Sequence, residues 1–199
     1  MKKLQFSIFL LLISLVGSAQ KGEQKQRLEV FIDGKTYFTN ENDTLLVNNK
    51  PITIKIAKTQ IFSTDKISFE YQNHFSLETE KDFGVNTYTL DGDDVVLTYF
   101  DFITSIETQD LAEEMIKEFG KKNCKLLPAN ITLNSKTYEG NKVAVNILNS
   151  KLTIEIYKIS NKKNQTQILA IQDSKNDDGS DSSEYQKAIA ILNKTLDVK

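Results

Sequence analysis

The sequence is short of the residues on which most enzyme chemistry draws. Its 199 residues include one cysteine, one histidine, two prolines and no tryptophan. Cys124 has no partner for an intramolecular disulfide, so stability has to come from a hydrophobic core, and the residue itself reads as a small apolar side chain packed into that core. His74 would have to serve any Ser-His-Asp or Cys-His arrangement, and no Gly-x-Ser-x-Gly elbow supplies a serine for it. It reads as a solvated residue in the loop between Gln72 and Phe75. One His and one Cys also fall short of the four N or S ligands of a structural zinc site. Neither a Gly-x-Gly-x-x-Gly nor a Walker-type Gly-Lys-Ser/Thr loop occurs, which argues against nucleotide cofactors. The sequence therefore nominates no catalytic, cofactor-binding or metal-ligating residue, and no cofactor is expected.

Positive charge is thinly specialised as well. Arg27 is the only arginine, so no guanidinium cluster can grip phosphates, and with no basic stripe no nucleic-acid partner is expected.

What is present begins with an export signal. Lys2 and Lys3 precede an apolar run from Leu4 to Val16, and Gly17-Ser18-Ala19 offers small residues to a signal peptidase. The run falls short of the roughly 20 apolar residues that span a bilayer. Gln20 stands where a lipoprotein would carry cysteine. Met1–Ala19 is thus predicted to be a cleaved signal peptide, and the product a secreted or periplasmic protein without a lipid anchor or membrane span. Cleavage removes two lysines and no acids, taking the formal charge from −2 to −4. A mildly acidic surface of this kind favours solubility and argues against a polyanionic partner.

Residues 20–27 read as a flexible lead-in, 28–66 as a β-hairpin segment, and 67–199 as an α+β sandwich domain continuous with it. Asp33-Gly34 between Leu28–Ile32 and Lys35–Phe38 is a hairpin signal, because a tight primed turn needs positive φ. Ile52–Ile56 and Ile67–Tyr71 alternate apolar and polar residues, as half-buried strands do. A hairpin turning at Asp91-Gly92-Asp93-Asp94 leads into Val95–Ile103. That strand is apolar on both faces, which predicts cover on both faces and a central place in the sheet. Leu111, Met115, Ile116 and Phe119 define a helix capped by Thr108 and ended by Gly120. Lys142–Leu148, Leu152–Ile159 and Gln165–Asp173 read as three further strands. Tyr185, Ala188, Ile189, Leu192 and Leu196 mark a closing helix. The fold class expected is α+β: an antiparallel sheet with one mid-chain and one C-terminal helix packed on it.

An internal echo runs through the chain. Asp33–Tyr37 resembles Asn134–Tyr138, and Ile52–Lys58 resembles Leu152–Lys158 at nearly the same offset. Half-buried strands draw on a small alphabet, so convergence explains such a match as well as duplication does.

Two acidic loops invite metal chemistry. In Asp173–Asp181, placing Gly179 sixth in an EF-hand loop puts Ser174 first and Tyr185 last. Placing Asp173 first and Glu184 last puts Asp178 where glycine is required. Neither register works, and the segment reads instead as a solvated loop whose Asp181 caps the last helix, with Glu184 folding back in a capping box. Asp91, Asp93 and Asp94 read as a hairpin turn, and the sequence leaves open whether the two loops meet.

From Ile67 onward the pattern resembles the PsbP-like α/β/α sandwich superfamily. The shared features are Phe75-Ser76-Leu77 leading to Phe83-Gly84, the long apolar strand Val95–Phe102, the helix Leu111–Phe119, a three-stranded meander and a C-terminal helix. Lys81-Asp82 stands where the family usually has a proline, and Leu28–Lys66 has no counterpart. The resemblance implies a binding or assembly factor rather than an enzyme. The expected function is an exported, non-enzymatic protein that binds a partner protein or helps assemble an envelope complex. An exported module for a small or lipid-like ligand, and a hydrolase built on paired carboxylates, are the alternatives.

Overall fold

The computed structural model describes residues 27–40, 43–148, 150–162 and 165–199. The signal peptide expected at Met1–Ala19 and the lead-in as far as Gln26 lie outside the described residues. The chain divides into two compact units, Met1–Ile56 and Ala57–Lys199.

In the first unit β1 (Arg27–Ile32) and β2 (Lys35–Asn40) form the hairpin predicted from Asp33-Gly34. Asp33 and Gly34 take φ of 49° and 76°, the two left-handed conformations of a primed turn. A second hairpin, β3 (Thr44–Val47) with β4 (Lys50–Thr53), turns at Asn48 and Asn49, again both at positive φ. The strand predicted over Ile52–Ile56 stops at Thr53, so the alternation outlasts the pairing. Without a neighbour to accept its hydrogen bonds, an alternating segment has no sheet to join.

The second unit runs β5 (Thr59–Ser63), β6 (Ile67–Gln72), β7 (Ser76–Asp82), β8 (Val85–Asp91), β9 (Val95–Phe102) and α1 (Thr108–Phe119). After a 3-10 turn it continues with β10 (Cys124–Leu133), β11 (Lys136–Ile147), β12 (Ser150–Lys162), β13 (Gln165–Ser174), α2 (Ser183–Thr195) and β14 (Asp197–Val198). Seven strands make an antiparallel sheet in the order β10-β11-β12-β13-β9-β8-β7, and β14-β6-β5 form a small second sheet.

The large sheet is buried on both faces, as the two-sided apolarity of β9 predicted. Leu97 and Tyr99, 1% and 2% exposed, join Leu90, Leu169 and Ile171 on the face covered by α2 and by Phe62, Ile67 and Phe69 of the small sheet. Phe102 lies on the opposite face with Val143, Ile154, Ile156 and Ile168, under Leu111 and Ala112 of α1. β9 lies between β8 and β13, with Leu97 opposite both Leu90 and Ile171.

The α+β class expected from the sequence is overturned by the strand content. Strands account for 59% of the described residues and helices for 17%, so the chain is mostly β with two helices. The excess comes from strands the sequence did not announce: β3, β5, β10 and the two-residue β14. The meander after α1 accordingly has four strands instead of three. Two capping expectations also change. Glu107 takes the N-cap position of α1, while the Thr108 hydroxyl donates to Asn141 Oδ1 at 2.7 Å. Ser182, not Asp181, caps α2, its Oγ accepting from the Tyr185 N–H at 3.0 Å.

The echo survives only in part. Asn134 and Ser135 form a positive-φ turn like that of Asp33-Gly34. Leu152–Lys158 lies within buried β12, whereas Ile52–Lys58 spans the exposed end of β4 and an irregular stretch.

Candidate anion-binding groove

Across β10, β11 and β12 the antiparallel register aligns Lys125 with Ala144, Ala144 with Thr153, Lys142 with Glu155, and Asn146 with Lys151. Directly opposed residues share a face, so these side chains stand together beyond the N-terminal end of α2. Lys122 from the 3-10 turn, with Lys175, Gly179 and Asp181 from the loop before α2, completes a groove of about 560 Å³. Five lysines thus line it: Lys122, Lys125, Lys142, Lys151 and Lys175. Asp181 is the one acid in that lining.

Two of the lysines are anchored by buried carboxylates. Lys142 Nζ is 2.8 Å from Glu155 Oε1, and the other Glu155 oxygen accepts from the hydroxyls of Tyr157 at 2.8 Å and Tyr185 at 2.7 Å. Burial alone would push the Glu155 carboxyl up, but the hydrogen bonds from Lys142, Tyr185 and Tyr157 outweigh it and hold the group below its usual range. The same arrangement pushes both tyrosines well above theirs, chiefly by burial and then by the adjacent carboxylate. Lys175 Nζ lies 2.7 Å from Asp173 Oδ2, also pairs with Asp181, and sits 5.0 Å from the centre of the Tyr185 ring. Burial works against its charge, yet the two aspartates hold its ammonium above the usual lysine range.

None of the other three lysines makes an ion pair among the described residues, although the Lys151 ammonium lies within electrostatic reach of the Asp178 carboxylate. Lys151 donates to the Asp177 carbonyl at 3.0 Å. The side chains of Lys122 and Lys125, both exposed, have no hydrogen bond or ion pair among the described residues. Thr153 in the groove floor is only 7% exposed, and its hydroxyl has no hydrogen-bond partner among the described residues. A buried hydroxyl left unpaired costs about 1–3 kcal/mol in the fold. Positive charge is thus concentrated in a recess of ordinary ligand-site size.

The residues singled out from sequence fall elsewhere or take other parts. Cys124 borders the groove half-buried and packs beside the α1 core, its thiol pushed up by burial. His74 is not simply solvated, since its Nε2 lies 2.5 Å from Glu184 Oε1. Glu184 in turn does not close a capping box. Its Oε2 accepts from the backbone N–H groups of Asp94 at 2.6 Å and Val95 at 2.8 Å, holding the β8–β9 turn. Gly92 makes room for this, because a Cβ there would sit 2.5 Å from the Phe75 ring and 2.8 Å from Glu184 Oε2. The two acidic loops do meet: Ser174 N–H donates to the Asp94 carbonyl at 2.8 Å, and Asp173 is the register partner of Val95. Asp173 itself is a fully buried strand residue and not part of a solvated loop. The lysines of the groove carried no signal in the sequence, being spread over more than 50 positions and joined only by register.

Among the described residues no helix is long and apolar enough to cross a membrane. Compared with known proteins, the chain matches no family model and no curated protein.

Proposed function

We propose that this is an exported, non-enzymatic binding protein, and that its lysine-lined groove receives an acidic segment of a partner protein. The observation that carries the reading is the gathering of five lysines against one acid in a single recess, with Lys122 and Lys125 outside any ion pair among the described residues. The chain as a whole carries a net charge of −2, so this local excess of ammonium groups stands out from its surroundings. It also narrows the expectation that an acidic surface disfavours anionic partners, because net charge describes the whole surface and recognition is local. The buried carboxylates Glu155, Glu184 and Asp101 are each engaged by lysine, histidine, tyrosine hydroxyl or backbone N–H groups, an arrangement suited to holding structure. The core clusters on both faces of the sheet are filled by side chains, which favours a surface groove over an internal lipid-like site.

The kinship proposed with the PsbP-like superfamily draws support from the order of elements. From β6 to α2, strands, a single helix, an antiparallel meander and a closing helix follow one another, with the two helices on opposite faces of one sheet.

A fluorescein-labelled oligoglutamate peptide tests the groove by anisotropy at low salt. Reversing charge with Lys122→Glu and Lys125→Glu together should weaken binding at least tenfold, and added salt should weaken it further. The same reversal at Lys187 and Lys194, exposed on α2, should leave it unchanged. Equal losses from both pairs would reduce the effect to overall charge and overturn the reading.

A further inference from the structure

The chain's single histidine lies beside two carboxylates in a second polar cluster, formed apart from the lysine-lined groove. His74 comes from the turn between β6 and β7, Asp93 from the β8–β9 turn, and Glu184 is the second residue of α2. One nitrogen or oxygen atom from each lies within 4.8 Å of the other two. We propose that these three side chains bind a divalent first-row transition-metal ion, with Zn²⁺ the ion that fits them best.

The donor set and its spacing carry the assignment. Zn²⁺ takes imidazole nitrogen and carboxylate oxygen at about 2.0–2.2 Å in a tetrahedron, which sets neighbouring ligand atoms about 3.3 Å apart. The distances here bracket that value, from 2.5 Å between His74 Nε2 and Glu184 Oε1 to the 4.8 Å limit of the cluster. His74 has a side chain 44% exposed and Asp93 is exposed, so both are free to make the shift of up to about 1.5 Å that the tetrahedron requires. Glu184 cannot, and that rigidity is useful. The hydrogen bonds from Asp94 and Val95 fix one oxygen and leave the other pointed at His74, the kind of outer support that orients a ligating carboxylate. Ca²⁺ and Mg²⁺ suit the cluster less well, because they call for six or more oxygen ligands and gain nothing from imidazole.

The surroundings favour a cation. Asp91 and Asp94 have carboxyls pushed up by partial burial and then by neighbouring Glu184, Asp93, Glu78 and Asp173, so negative charge is crowded around the turn. Metal binding requires deprotonated ligands, so Zn²⁺ affinity should fall as the pH is lowered. Three protein ligands leave a fourth position toward solvent, open to water or to a donor from another molecule.

The test uses the full chain without a polyhistidine tag, so that His74 is the only imidazole present. Calorimetric titration with ZnCl₂ at pH 7.5 should saturate at one equivalent, and the ring nitrogens of ¹⁵N-histidine-labelled protein should shift on binding. His74→Gln and Asp93→Asn, both at exposed positions, should each weaken Zn²⁺ binding at least tenfold while leaving the circular dichroism spectrum unchanged, and Asp93→Asn should also leave the melt in EDTA unchanged. Millimolar Ca²⁺ should not reproduce the shift of the histidine nitrogens. Absence of saturable binding, silent histidine nitrogens, or variants that bind like the parent chain would each overturn the proposal.

Discussion

The two units use the same turn chemistry to different ends. Both close hairpins with paired residues at positive φ: Asp33-Gly34 and Asn48-Asn49 in the first unit, Asn134-Ser135 in the second. In the first unit Val47 is the one buried hydrophobic residue among those described, and Phe31, Phe38 and Leu46 are 72%, 59% and 66% exposed. In the second unit the hairpins from β7 onward are stacked edge to edge into one sheet, which is roofed on both sides. A turn sets the register of two strands, but burial requires a further layer. Local sequence is enough for the first, and only tertiary assembly provides the second.

Core truncation should expose this difference most strongly. Leu97→Ala removes a side chain 1% exposed at the centre of the large sheet, and should lower stability by about 2–5 kcal/mol in urea unfolding. Leu46→Ala, the same chemical change at a site 66% exposed, is expected to cost less than about 0.5 kcal/mol. Comparable losses at the two positions would erase the contrast between the units.

Acid should act on the second unit next. Glu155 and Glu184 are held below their usual carboxyl range in the folded chain. For Glu184, burial raises the carboxyl, and the hydrogen bonds from His74 and the backbone of Asp94, Val95 and Asp93 more than reverse it. A depressed carboxyl contributes stability that is whole above the unfolded value of about 4.3 and disappears as the pH falls through the folded value. Melting temperature should therefore drop below about pH 4.5, and Glu155→Gln should flatten that drop. Asp91 and Asp94 are shifted the other way and offset part of the loss, though both are largely solvated. A melting temperature that holds level from pH 5 to 3 would contradict the depressed carboxyls.

The smallest effect separates two neighbouring residues. Ser182→Ala should destabilise α2 by about 0.5–2 kcal/mol, because the hydroxyl accepts from a helix N–H that has no other partner. Asp181→Ala removes only a half-exposed partner of Lys175 and should cost less. Reversed ranks in thermal melts would restore Asp181 as the cap.

What could be read in advance was what periodicity and turn residues report. The β8–β9 hairpin, the two-sided burial of β9, and the apolar faces of α1 and α2 were all legible. β10 was missed because Pro128 and the run Leu126-Leu127 interrupt its alternation. As the edge strand of the sheet it tolerates a proline that an inner strand would exclude. β5 and β3, five and four residues long, are too short for a period to register. Those omissions, more than any error about the helices, produced the α+β expectation. The groove was invisible for a different reason: Lys125, Lys142 and Lys151 become neighbours only through the register of β10, β11 and β12. Ser182 offered the same capping chemistry as Asp181, and the sequence alone gave no ground for preferring it.

The carboxylate of Glu184 also has a meaning in time. It joins the backbone of Asp94 to a residue 90 positions further along, near the end of the chain. While the protein is being made, the β8–β9 turn emerges long before the group that satisfies its N–H donors. β9 likewise waits for β13 to cover its second edge. Contacts of such wide sequence separation place the entropy of loop closure ahead of the stabilisation it secures, which slows folding. The face of the large sheet that α2 covers can therefore be buried only after Ser183–Thr195 has been synthesised, and a chain truncated before Ser183 should be markedly destabilised, however complete its strands.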